Sequence, residues 1–234
     1  VVKSRTTQPV RRSGLSDTTH AEQDYLKAIY KLQQKERPVP TMAVAEALDF
    51  SSAAVSKMLK HLAAQGLVEH SRYYGVALTE AGEKIALEVI RHHRLVELYL
   101  VNVLGVPWDQ VDREAEVLEH VLSEELEERV ATVLGDPKRD PHGDPIPGLD
   151  GTLEEPARTN LADLDEGSRA RVLRVPDRDP QRLRYFAEIG LVPESEVYVV
   201  RREPFDGPLH IRLGHSQTQH VIGREIAERI SVSS

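Results

Sequence analysis

Apolar positions recur at helical spacing over most of residues 20–134 and alternate over short runs after about residue 160. Thr19-His20-Ala21-Glu22 has the capping-box pattern that opens a helix. The stripe Tyr25, Leu26, Ile29, Tyr30 and Leu32 follows, and the helix is predicted to stop before Arg37-Pro38-Val39-Pro40. Thr41 can cap a short helix over 42–48, with Val44, Ala45 and Leu48 inward. After the turn Asp49-Phe50-Ser51, Ser52 can cap a helix over 53–65, which Gly66 ends. Val55, Met58, Leu59 and Leu62 form its apolar side; Ser51, Ser52, Ala53, Ala54, Ser56, Lys57 and Lys60 form a small or basic one. Residues 67–71 and 75–79 read as two strands around Arg72-Tyr73-Tyr74-Gly75. Helix, helix-turn-helix and hairpin in that order give a winged helix, whose second helix enters the major groove. Ser51, Ser52, Ala53, Ser56, Lys57, Lys60 and Arg72 are the candidate DNA contacts.

A long helix is predicted from Glu80 to about Val103, with Ile85, Val89, Leu95, Leu98 and Leu100 apolar and His92, His93 and Glu97 interrupting them. A helix over 111–122, with Val117, Leu118 and Val121 as its apolar side, precedes one over 124–134 that Ser123 caps. Residues 135–156, GDPKRDPHGDPIPGLDGTLEEP, are rich in Pro, Gly and Asp and read as a long loop at a domain boundary. Strands are predicted over 171–175, 196–201, 209–213 and 218–222, with one helix over 180–189 ended by Gly190. The fold class is α+β: an N-terminal winged helix-turn-helix, a helical domain and a small C-terminal β-barrel of the SH3-like type. The expected divisions are a basic arm at 1–14, the winged helix at 15–79, helices at 80–150, a linker at 151–160 and the barrel at 161–234.

Charge sharpens this division. Residues 1–78 carry eleven Lys and Arg against seven Asp and Glu; 79–155 carry seven against nineteen; 156–234 carry twelve against twelve. A basic first third and an acidic middle suggest a nucleic-acid face followed by a cation-binding or partner face, which the overall charge of −8 conceals. With no cysteine, disulfides, thiolate ligands and thiol nucleophiles are excluded, in keeping with a cytoplasmic location. Apolar runs fall short of a membrane span, and the first residues lack the apolar core of a secretory signal, so no membrane partner is expected.

The chemistry centres on 113–123, REAEVLEHVLS. On a helix Glu116, Glu119 and His120 sit at i, i+3 and i+4 and leave one face, as half of a divalent-metal site or as an acidic solvated face. His93 and Glu97 share a face at i, i+4, and Asp24 and His142 are possible further ligands. Asp140-Pro141-His142 sets two potential ligands two residues apart. The order Glu-x-x-Glu-His approaches the H-x-x-E-H peptidase motif, but using both carboxylates as ligands leaves no general base, so no enzyme activity is expected.

In this order the segments DTTHAEQDYLKAIYKL, VAEALDFSSAAVSKMLKHLAAQGLV, ALTEAGEKIA, RHHRLVELYL, EAEVLEHVLSEELEERV, HGDPIPGLDG and LRYFAEIGLVPESEVYVV resemble the DtxR/MntR family of metal-dependent transcriptional repressors over essentially the whole chain. The resemblance implies a cytoplasmic homodimer that binds a palindromic operator in double-stranded DNA and represses metal-uptake genes, with a helical dimerisation domain and a FeoA-type C-terminal domain. It places the primary metal ligands at Asp24, His93, Glu116, Glu119 and His120. The iron-responsive branch has a methionine and a cysteine at the positions of Asp24 and Glu116; two carboxylates here match the manganese-responsive branch. Hard oxygen donors with imidazole suit Mn²⁺, with Fe²⁺ the alternative and Zn²⁺, Co²⁺ or Cd²⁺ able to substitute in vitro. The manganese branch has a glutamate where Lys27 stands, which argues against the same two-ion cluster. One branch places an ancillary site at His93, Glu97 and a histidine that is Asp112 here. Another implies Glu97, Asp140, His142 and an aspartate of the last domain, Asp179 or Asp177, with Asp140 replacing a cysteine; this version is the one expected. The rival reading is a metal-independent winged-helix regulator that senses a ligand through its barrel.

Overall fold

The computed structural model describes residues 15–71, 74–154, 159–176 and 179–233. The basic arm, Arg72, Tyr73 and Asp177 lie outside them. The chain forms two compact units, one up to Ile90 and one from Arg91 onward. The second holds both the later helices and the C-terminal sheet.

In the first unit, α1 (His20–Gln33) opens on the expected box: the Thr19 side chain accepts from Glu22 N, and the Glu22 carboxylate accepts from Thr19 N. Tyr25, Leu26 and Ile29 are buried, with Tyr30 and Leu32 packed beside them. The next two helices each begin one residue earlier than predicted. α2 (Thr41–Leu48) follows Pro40, which supplies no side-chain cap, so Thr41 lies inside the helix. α3 (Ser52–Ala64) is capped by Ser51, whose Oγ accepts from Ala54 N. Strands β1 (Val68–Ser71) and β2 (Gly75–Leu78) pair antiparallel, and Val39 bridges to Val76. Val55, Leu59 and Leu62 turn the inner side of α3 onto this core, together with Val44, Val76 and Leu78.

Helix α4 (Glu80–Asn102) runs through the boundary at Ile90. In the second unit its Leu95 packs with Val130, Ala131 and Ile146, and its Val96 and Leu100 pack with Val111 and Ala115. Those partners lie on α5 (Val111–Leu118), α6 (Glu124–Val133) and the loop that follows. α5 is shorter than predicted: Glu119 is its C-cap, with its N–H donated to Ala115 O, and His120 lies beyond it. The side expected to be apolar is its outer side. Val117 and Val121 are 67% and 64% exposed and Leu118 is exposed too, while Val111 and Ala115 face the core.

The C-terminal part is a five-stranded antiparallel sheet of β3 (Arg169–Arg174), β4 (Glu196–Arg202), β5 (Leu209–Leu213), β6 (His220–Ile222) and β7 (Ser231–Val232), in the order β6-β5-β4-β3-β7. Alternate residues Val197, Val199, Leu209, Ile211 and Leu213 face the core, where Phe186 and Leu183 of α7 (Pro180–Ile189) cover them. β7 and the single-turn α8 (Arg224–Ala227) had no counterpart in the predicted elements. Predicted β6 was too long at its start, because residues 214–219 form a turn and an irregular run.

Candidate metal centre

Four of the expected ligands lie in the second unit, and the structure brings three of them around one imidazole. His93, on α4 and 6% exposed, has Nδ1 2.5 Å from Glu119 Oε2 and 3.9 Å from Glu116 Oε1. Single ligand atoms of His93, Glu116 and Glu119 lie within 4.8 Å of one another. The fourth, His120, adjoins them: its Nε2 is 3.4 Å from Glu119 Oε1. Glu119 is fully buried because its place at the end of α5 turns it inward, whereas Glu116, one turn earlier, is half exposed. Burial alone would drive the His93 pKa down, but hydrogen bonds to Asp112, Glu119 and Glu97 outweigh it and hold the ring well above the usual histidine range. Several carboxylates around one ring thus favour its cationic form. Asp24 lies on α1 of the first unit, and Lys27, one turn on, is buried there.

The other nitrogen of His93, Nε2, is 3.5 Å from Glu97 Oε1 and 3.5 Å from Asp112 Oδ1. Beyond Glu97 lies a second, wholly buried group: Glu97, Asp140 and His142, at 3%, 6% and 0% exposed, also within 4.8 Å. His142 stacks on Trp108 and its Nε2 donates to Trp108 O at 2.9 Å. That bond leaves Nδ1 without a hydrogen-bond partner, 3.8 Å from Glu97 Oε1. The group's donor set of one imidazole nitrogen and two carboxylates, all buried, suits a divalent ion. Burial, then the charges of Asp144 and Glu97, push Asp140 up to about 7, against the pull of Arg94 and His142. For Asp144 burial works upward as well, but Arg174 and Arg94 win and keep it below the usual range. Asp179 is not in this group: its Oδ1 accepts from Gln181 N and Arg182 N as the N-cap of α7.

The loop carrying Asp140 and His142 is fastened at both ends. Asp140 Oδ1 accepts from the N–H of His142 and of Asp144, each at 2.9 Å. On the other side His142 O accepts from Val175 N, and Asp144 Oδ2 is 2.8 Å from Arg174 Nε. Gly143, at φ +93°, allows this approach, since a Cβ there would stand 1.9 Å from Leu173 O.

A further group was not legible in the sequence. His92 is 1% exposed, with Nδ1 3.0 Å from the Glu119 carbonyl and Nε2 3.1 Å from Glu127 Oε2; both partners can only accept. Arg91 donates to Glu127 and, at 2.7 Å, to Pro147 O. Burial opposes ionisation of Glu127, but the bonds and charges of His92 and Arg91 bring it down to about 2. His92 therefore holds the backbone of Glu119, at the point where α5 ends, against a fixed negative charge.

In the first unit six of the seven candidate DNA contacts lie among the described residues, on or at the start of α3. Ser51, Ser52, Ala53, Lys57 and Lys60 are exposed along the outer side of α3, and Ser56 is half-buried. Ala53, Lys57 and Lys60 stand on the side away from the buried Val55, Leu59 and Leu62, and Ser51 and Ser52 lie at the start of the helix.

Three family models match the chain. Residues 17–76 match the iron dependent repressor N-terminal DNA binding domain, 79–148 the iron dependent repressor metal binding and dimerisation domain, and 159–234 the FeoA domain. The iron-dependent repressor IdeR of Mycobacterium tuberculosis (strain ATCC 25618 / H37Rv) is 33% identical over 230 residues, covering 93% of this chain and 97% of its own length. A solved manganese-dependent transcriptional repressor in complex with manganese is 42% identical, covers 91% of this chain and 99% of its own, and superposes with a TM-score of 0.82. ScaR with bound Cd²⁺ is 30% identical, covers 91% and 98%, and gives 0.76. DNA-binding, metal-binding and FeoA parts in the order anticipated from the sequence, with full-length relatives above 30% identity, show that the chain belongs to the DtxR/MntR family of metal-dependent transcriptional repressors.

Proposed function

We propose that the protein is a homodimeric repressor whose affinity for a palindromic operator is set by a divalent metal, Mn²⁺ before Fe²⁺. The observation that supports this best is the convergence of Glu116 and Glu119 on one nitrogen of the buried His93. His93, Glu116, Glu119 and His120 are the proposed primary ligands of the second unit, and Asp24 is the fifth, on the strength of the family resemblance alone. Carboxylate and imidazole donors without sulfur favour a hard ion, while Zn²⁺, Co²⁺ or Cd²⁺ would compete in vitro. When bound, the ion supplies positive charge and fixed geometry, not catalysis. His93 would have to give up any ring proton to hold the ion through that nitrogen. A metal acts on DNA binding only by favouring the DNA-competent arrangement over the others, so its effect equals its differential affinity for that arrangement.

Glu97, Asp140 and His142 are the proposed ancillary site, supported by the unpartnered Nδ1 of His142. Glu97 Oε1 faces both His93 Nε2 and His142 Nδ1, at 3.5 and 3.8 Å, so it can serve an ion in this group or one shared with Asp112. Asp179 is left out of the proposal.

Homodimerisation is proposed through the outer side of α5 and the turn after it, where Val117, Leu118 and Val121 are exposed. The outer side of α3, with Lys57 and Ser56, is proposed to read bases, and Lys60 and Ser51 to hold phosphates. Calorimetric titration of the metal-free chain with Mn²⁺ tests the ligand assignment. His93→Ala should lose the tighter event and His142→Ala only the weaker one. Unchanged isotherms in both variants contradict it.

A further inference from the structure

The outer face of the C-terminal sheet carries a cleft of about 160 Å³ that the metal chemistry does not use. Arg169, Tyr198 and Arg212 stand side by side across three neighbouring strands: Arg169 of β3 is opposite Tyr198 of β4, which is opposite Arg212 of β5. The two guanidinium carbons lie 5.7 and 4.6 Å from the Tyr198 ring centroid, so the ring is flanked by positive charge. Gly214, His215, Ser216 and Gln217 close one side of the cleft, and Glu196 contributes its one carboxylate.

The charge in this cleft is not settled by the protein. Among the described residues Arg169 makes no ion pair, and neither arginine pairs with Glu196. Arg212 Nη1 donates to Gln217 Oε1 at 2.9 Å, which fixes the guanidinium, yet its Nε is buried and has no hydrogen-bond partner. An N–H of a cation withdrawn from water without an acceptor is costly, and a charged acceptor relieves it best. Two like charges held about one aromatic ring also repel each other until an anion lies between or beside them.

We propose that this cleft is an oxyanion site that takes the phosphate or carboxylate group of a small ligand, with Arg169 and Arg212 as its cationic pair. The cleft is too small and too polar for a folded partner, and the loop 214–217 supplies neutral donors for an anion's remaining oxygens. Such a site gives the C-terminal domain a ligand of its own, independent of the metal ligands.

The test follows the Arg Nε–H signals of the full metal-free chain by NMR during titration with inorganic phosphate and, separately, with acetate, at ionic strength held constant with chloride. The Arg212 and Arg169 signals should move along a saturable curve with at least one oxyanion, and the lower midpoint identifies the class. Arg212→Met, which keeps most of the stem, should weaken binding at least about tenfold. Glu196→Gln, a change at an exposed residue, should tighten it. Shifts that stay linear into the tens of millimolar or match those from chloride overturn the proposal. So does a saturable response that survives in Arg212→Met unchanged.

Discussion

Replacing Glu127 by Gln tests whether the buried Arg91–His92–Glu127 group holds the proposed metal ligand Glu119 in place. The carboxylate has no exposed side-chain surface and is held at about 2 against an ordinary 4.5, a displacement of about 2.5 pH units. At about 1.4 kcal/mol per pH unit, this places an upper figure of about 3 kcal/mol on what its ionised form adds to stability at neutral pH. Because the folded value is depressed, that contribution is complete above pH 4.5 and is lost as the pH falls through the folded value near 2. Gln keeps the shape but leaves Arg91 and His92 without their countercharge, so the loss is of the order seen when one partner of a buried ion pair is removed, about 3 kcal/mol. Gln keeps one acceptor oxygen where Arg91 and His92 used two, so the hold on His92, and through it on the Glu119 carbonyl 3.0 Å away, weakens. Removing support behind a metal ligand typically costs about 10- to 100-fold in affinity. The assay is denaturant unfolding of metal-free chains from pH 7 to 3, followed by Mn²⁺ titration at pH 7. Wild type should lose more stability than Glu127→Gln on acidification, and the variant should bind Mn²⁺ more weakly. A variant with wild-type stability, the same pH profile and unaltered Mn²⁺ affinity refutes the reasoning.

Asp140 has the opposite sign. Its folded value of about 7 exceeds the ordinary 3.8, so the folded metal-free chain keeps a proton that the unfolded chain sheds, and stability falls as pH rises from about 4 to 7. Asp140→Asn, which retains an oxygen for the His142 and Asp144 N–H groups, should raise metal-free stability at pH 8 by on the order of 1 kcal/mol and remove one bound ion per chain; thermal unfolding and metal analysis check both. Val121→Glu puts a charge on the exposed apolar surface just beyond α5 and should weaken self-association at least about tenfold by sedimentation, with the helical signal kept. Lys60→Ala should lower the slope of log affinity for DNA against log salt by about one, while Lys57→Ala should reduce the preference for operator over unrelated DNA, both measured by fluorescence anisotropy.

What was legible in the sequence had local punctuation. The boundaries of α7 are those predicted, because Pro180 at its first turn and Gly190 at φ +81° mark them. α2 and α3 each begin one residue early, because Thr41 and Ser52 are as plausible as caps as they are as first helical residues. α5 was read too long for a different reason: Val117, Leu118 and Val121 extend an apolar pattern, but their burial requires a partner outside the chain's own core. His93, Glu97 and Glu119 stood out by helical spacing, and Asp140 and His142 by lying two residues apart in the loop, with the resemblance grouping them with Glu97. Nothing local separates Glu127 from the other glutamates of α6 or tells that His92 points at a backbone carbonyl; both depend on how α4 and α6 pack. The Arg169–Tyr198–Arg212 ladder depends on strand register, which alternation alone does not fix.

The central claim is that metal held by the Glu119 group controls DNA binding. Its most direct test is the affinity of the full chain for its own upstream promoter DNA, measured in chelator, in Mn²⁺ and, anaerobically, in Fe²⁺, for wild type and Glu119→Ala. The account predicts tight wild-type binding only with metal, at a lower free concentration for Mn²⁺ than for Fe²⁺, and loss of that response in the variant. Equal affinity in chelator and in metal, or a Glu119→Ala variant that responds as wild type does, contradicts it.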